Sequence, residues 1–218
     1  MDKISKELEG VISQMLRPLK GLSLNIVIEG LANKKVIPFE KNDKKDIIVL
    51  EKLKKAAENV LTKINTNGIK RTRPNEVGND IEPFVKESLY EVGFKSDTPM
   101  TLSGKRKATG YPDIEFQDEY DRWHYIECKT YNIENIDTTF RSFYLSPSED
   151  FKVSKDAHHF GFSFEIFVEN SIGNMHIYKV KSWKILDLSK LELDVKYEFN
   201  SDNKRLYEKD LILAERNK

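Results

Sequence analysis

Two short extended runs around a polar turn constrain this chain more than any other stretch. Ile114-Glu115-Phe116 leads into the segment 117–122, and Trp123 to Lys129 leads out again. The flanks carry β-branched and aromatic residues and the stretch between is polar, a pattern that predicts an antiparallel hairpin. With its apex at Tyr120, Asp113 faces Glu127. Facing side chains on one side of such a pair sit ~5 Å apart at Cβ. Side chains alternate along a strand, so Glu127 and Lys129 share the side of Asp113, while Ile126 and Cys128 point the other way. Two carboxylates and one ammonium therefore converge at the edge of a sheet.

Holding two carboxylates side by side is costly, because each raises the pKa of the other and both lose hydration. A divalent cation answers that cost, and carboxylate oxygens are the hard ligands that suit Mg²⁺. The lysine alone could also neutralise one acid, which would make the trio a structural charge cluster. His124 lies on the same strand with the opposite parity, so it reads as structural. Cys128 reads as a small core residue rather than a nucleophile. His158 and His159 are adjacent, so one points to each face, as core or hydrogen-bonded histidines.

Pro112-Asp113 followed by Glu127-Cys128-Lys129 resembles the PD-(D/E)xK nuclease motif, and the chain over roughly residues 71–168 resembles a type II restriction endonuclease. That resemblance implies catalytic roles for Asp113, Glu127 and Lys129, with Asp113, Glu127 and the Cys128 carbonyl holding one or two Mg²⁺ ions. Lys129 would orient or activate the attacking water. Many members of the superfamily carry a further acid on a helix before the sheet; Glu82 fits that slot and Glu76 competes for it. The implied reaction is sequence-specific hydrolysis of double-stranded DNA to 5′-phosphate ends by a homodimer. A cognate DNA methyltransferase would be a genetic rather than a physical partner. Two other readings stay open: a repair nuclease, nickase or junction resolvase of the same superfamily, and a non-catalytic DNA-binding module with a nuclease-like fold.

The chain has 36 basic and 36 acidic residues, so a polyanion partner must be sought in the placement of charge. Arg71 and Arg73 precede the acidic helix, and Lys105, Arg106 and Lys107 precede Asp113. Both clusters could meet DNA phosphates, which position a duplex without reading it. The segment after Lys129 adds donors at Arg141, Ser142, Ser146, Ser148, Lys152 and Lys155, of which Arg141, Ser146 and Lys152 are the expected DNA contacts. For any single lysine among these, a solvated loop is the competing reading.

Apolar spacing predicts helices over 2–16, 43–64 and 71–93, the last interrupted by Pro83. Residues 22–29 read as a strand, with a continued helix as the alternative. Strands are expected at 158–170, 175–183 and 191–199, with a short helix in the tail from Lys204. Helices followed by strands indicate an α+β (mixed α/β) fold, a restriction-endonuclease-like core with a central mixed sheet flanked by helices. One domain over 1–218 is expected, with a mainly helical part to 70, a catalytic core over 71–199 and a tail over 200–218. The helices at 2–16 and 43–64 either form a dimer interface or cover the sheet. One cysteine excludes an internal disulfide, and no apolar run approaches the ~20 residues of a membrane span, so a cytoplasmic protein is expected.

Overall fold

The structure, a computed structural model, describes residues 3–15, 17, 19–132, 143–196, 205 and 211. It divides into two units, one of Ser23–Glu192 and one of Met1–Leu22 with Leu193–Lys218. In the smaller unit, helix α1 (Lys3–Met15) fulfils the first predicted helix. There Gly21 N donates to Asp194 Oδ1 (3.0 Å) and Val195 N to the Leu19 carbonyl (2.8 Å). Most of the tail lies outside the described residues, as do Arg141 and Ser142.

The strand expected over 22–29 is mostly a helix. Only Leu22–Ser23 (β1) is extended, and Leu24–Ala32 is a helix, α2. The strand reading is overruled by Leu24, Ile28 and Ala32, which recur every fourth residue and are buried together on one face. After β2 (Val36–Ile37) comes α3, Lys44–Asn67. Asp43 caps its start by accepting from Lys45 N and Asp46 N, and Gly68 ends it at φ +68°. β3 (Ile69–Arg71) follows, then α4, Pro74–Glu91, which runs without a break through Pro83.

The remaining strands are β4 (Lys95–Asp97), β5 (Ile114–Gln117), β6 (Trp123–Tyr131), β7 (Ala157–Ile172), β8 (Met175–Asp187) and β9 (Glu192–Leu193). Of the strand predicted over 191–199, only β9 is seen, with 197–199 outside the described residues. Strands β2 to β8 form one seven-stranded mixed sheet in the order β3-β8-β7-β6-β5-β4, with β2 beside the start of β7. β6 and β7 run parallel; the β5–β6 and β7–β8 pairs are antiparallel. The predicted α+β architecture, a mixed sheet flanked by helices, is the one observed.

One face of the sheet carries Ile114, Phe116, Ile126, Cys128, Phe160, Phe162 and Phe164, and these pack with Leu53, Val60, Val77, Ile81 and Val85 of α3 and α4 in one core. α3 thus buries its apolar side against the sheet. Apolar burial of this kind contributes about 25 cal/mol per Å² removed from water, the dominant favourable term for the fold. Among the described residues no helix is long and apolar enough to cross a membrane.

Candidate active site

The hairpin forms in the register read from the sequence. Ile114 pairs with Ile126, Glu115 with Tyr125, Phe116 with His124 and Gln117 with Trp123. Its turn is held by Asp118, whose Oδ1 accepts from Tyr120 N and Arg122 N (both 2.9 Å). Arg122 Nε donates to Asp118 Oδ2 at 2.8 Å, and Arg122 Nη1 reaches Asp46 of α3 at 2.6 Å. His124 is buried as expected, with its ring stacked between Phe116 and His158 (centroids 4.7 and 4.9 Å). Burial, then the neighbouring His158, lowers its pKa to about 4. His158 and His159 are both buried, His159 against the Tyr111 hydroxyl, because each face of the sheet is covered there.

At the other end of the hairpin the ladder stops at Ile114, one residue after Asp113. Asp113 N donates to the Ile126 carbonyl (3.1 Å), and Asp113 Oδ2 accepts from Cys128 N (2.8 Å). The carboxylate thus takes the amide that a longer β5 would have taken. Since the N–H and C=O of a strand residue leave on the same edge, the Cys128 carbonyl also points past the end of β5. The Cys128 side chain lies in the core, and burial pushes its thiol up, which suits a packing residue and not a nucleophile.

Glu127 is only 6% exposed. Its Oε1 accepts from Lys129 Nζ at 2.7 Å, as the shared parity predicts. Its Oε2 is buried and accepts no hydrogen bond from any described residue. Burial first, and then Asp113, raises the Glu127 carboxyl to about 7. Asp113 is raised as well, chiefly by burial and against the pull of the Cys128 amide. Glu82 adds to that rise, so its charge lies close enough to act on Asp113. Glu82 Oε1 meanwhile accepts from Lys86 Nζ at 2.6 Å, and Lys86 also donates to Thr98 Oγ1 at 2.7 Å. Glu76 does different work in the first turn of α4, where it accepts from Arg73 N (3.2 Å) and Thr72 Oγ1 (3.1 Å).

A buried carboxylate oxygen with no donor, beside a second raised carboxyl and a strand carbonyl, is an all-oxygen set that fits a hard divalent cation. Among the described residues no three His, Cys, Asp or Glu side chains converge as ligands. The candidate set therefore rests on two side chains and a backbone oxygen.

The basic residues separate. Arg71 makes a bidentate pair with Asp80 (2.6 Å to each oxygen), Arg106 pairs with Asp97 (2.5 Å) and Lys107 with Asp150 (3.2 Å). Arg73, Lys105 and Ser146 are exposed, and Arg141 lies outside the described residues. Lys152, expected to face DNA, is instead 3% exposed, with its ammonium donating to the carbonyls of Gly110 (2.6 Å) and Pro112 (2.7 Å). Its neighbours Phe151 and Val153 are buried too, so no polar alternation marked it in the sequence. Lys86 was also missed, although a Glu-to-Lys spacing of four on a helix is a readable signal.

A family model described as the type II restriction enzyme MjaV family matches residues 19–210. A curated relative, the type II restriction enzyme MjaV of Methanocaldococcus jannaschii, is 40% identical over 226 aligned residues, spanning 97% of this chain and 96% of its own. No solved structure matches.

Proposed function

This chain belongs to the type II restriction enzyme MjaV family, and from that premise we propose that Asp113, Glu127, Lys129 and Glu82 form its catalytic centre. It is a type II restriction endonuclease, a site-specific deoxyribonuclease that hydrolyses phosphodiester bonds in double-stranded DNA. The observation that carries the site is the donorless, buried Oε2 of Glu127, whose other oxygen holds Lys129 on a registered hairpin.

Asp113 and Glu127, with the Cys128 carbonyl, would hold Mg²⁺, and Glu82 would hold a second ion or reach the first through water. When bound there, Mg²⁺ supplies charge neutralisation at the phosphoryl oxygens and a water that ionises more readily. Lys129, already hydrogen-bonded to Glu127, donates to the attacking water and orients it for in-line approach. Asp113, with its amide and carboxylate both tied to β6, contributes a fixed oxygen position. Cleavage then leaves 5′-phosphate and 3′-hydroxyl ends. A homodimer would match a two-fold target, each subunit cutting one strand, while a cognate methyltransferase protects the host's own sites. Arg73, Lys105 and Ser146 offer exposed phosphate or base contacts.

The test is digestion of unmethylated phage-length DNA in Mg²⁺ and in EDTA, beside Asp113→Ala. Discrete bands that require Mg²⁺ and vanish in the variant support the proposal. Cleavage that survives Asp113→Ala would remove this residue from the centre.

A further inference from the structure

A buried lysine that the reaction above does not use sits against the peptide carrying Asp113. Lys152 Nζ donates to the Gly110 and Pro112 carbonyls, at 2.6 and 2.7 Å, and so spans the residues just before the first metal-binding candidate. No described carboxylate lies within ion-pair distance of this ammonium, although lysine is seldom buried without one. Burial lowers its pKa, and the charges of Asp113, Glu127 and Glu82 offset that only in part.

The backbone of Lys152 is itself anchored. Asp150, two residues earlier, accepts from Ser103 N (3.0 Å), Ser103 Oγ (2.8 Å) and Lys107 Nζ (3.2 Å). Leu102 N donates to the Phe151 carbonyl at 3.3 Å. Phe143 stacks edge-on to Tyr111 with centroids 5.1 Å apart. The segment after β6 and the loop before β5 are thus stitched together, and Lys152 is the stitch nearest the carboxylates. Two charge-assisted bonds to carbonyls hold a peptide more firmly than neutral ones would.

We infer that Lys152 is a positioning residue for the cleavage reaction: it clamps the Gly110–Pro112 peptide so that the Asp113 carboxylate stays where a divalent cation can be bound. The inference rests on the site reading above. It also gives Lys152, expected to contact DNA, a hydrogen-bonded route to the residue next to Asp113. A contact that displaces Lys152 would be felt at the Asp113 carboxylate through this side chain.

The experiment compares wild type with Lys152→Met, Lys152→Gln and Lys152→Arg, with Asp113→Ala as control. Three quantities are read: the cleavage rate at saturating Mg²⁺, the Mg²⁺ concentration giving half that rate, and the affinity for DNA in EDTA. Thermal unfolding identifies the variants that are folded. Lys152→Met and Lys152→Gln should need at least ~10-fold more Mg²⁺ and cleave at least ~30-fold more slowly, since sub-ångström misplacement is costly for catalysis. Their DNA affinity should stay within ~3-fold, and Lys152→Arg should recover most of the loss. A folded Lys152→Met or Lys152→Gln with wild-type Mg²⁺ dependence would overturn the inference. So would an unchanged Mg²⁺ response with weakened DNA binding, which would make Lys152 a phosphate contact. Failure of all three variants to fold would assign the lysine to the fold alone and overturn it too. If Asp113→Ala still cleaves, the reading of the site fails first, whatever Lys152 does.

Discussion

Replacing Glu127 by glutamine should stabilise the metal-free protein while abolishing cleavage. The Glu127 carboxyl rises from an ordinary 4.5 to about 7, with burial as the main cause and Asp113 second. At 1.36 kcal/mol per unit, holding this group ionised in the fold costs about 3 kcal/mol above pH 7. The sign follows from proton uptake. Between pH 4.5 and about 7 the native state binds a proton at Glu127 that the unfolded chain has released, so stability falls as pH rises through that window and is flat beyond it. Glutamine mimics the protonated acid and removes the penalty. In EDTA at pH 8 the variant should therefore exceed wild type by about 3 kcal/mol, or roughly 6–12 °C in Tm for a domain of this size. At pH 5 the difference should shrink to under about 1 kcal/mol. The difference between the two proteins is the proper observable. His124, held near 4, titrates in the same window with the opposite sign, so wild type alone would mix the two effects. Urea unfolding at both pH values measures it. A variant no more stable than wild type at pH 8, or a gain that persists undiminished at pH 5, would refute the argument that this carboxylate is strained without a cation.

Other outcomes are expected. Lys129→Ala should lower the cleavage rate by ~10²-fold or more with DNA binding retained, as judged by single-turnover cleavage beside a binding titration. Asp118→Ala leaves Arg122 Nε, two turn amides and His124 Nε2 without their acceptor, and should cost about 3–5 kcal/mol in urea unfolding. Gly68→Ala places a Cβ 2.4 Å from Ile177 Cγ2 at a φ of +68°, so a loss of about 2 kcal/mol or more should appear as a lower Tm.

The legible parts of this molecule are those written in a short period. The hairpin register, the Glu127–Lys129 pair and the inward Cys128 follow from strict alternation around one turn. The ends of α3 were readable because Asp43 and Gly68 carry local capping chemistry. Residues 22–29 misled because two periods coexist there, and only tertiary burial of Leu24, Ile28 and Ala32 chooses between them. Lys152 was illegible for a different reason. Its partners are carbonyls 40 and 42 residues away, and carbonyls leave no trace in the identity of the residues that bear them.

The turn anchored by Asp118 acts as the origin from which this hairpin is counted. Arg122 ties that origin to Asp46 on α3, so the strands cannot slide to absorb a change in length. Adding one residue between Gln117 and Trp123 would present Ile126 or Cys128 where Glu127 now stands, and would turn the acid into the core. The tolerance of the enzyme to insertions should therefore be lopsided. This five-residue turn should keep its length, while the connection between β6 and β7 should accept changes in length that leave Lys152 within reach of Pro112.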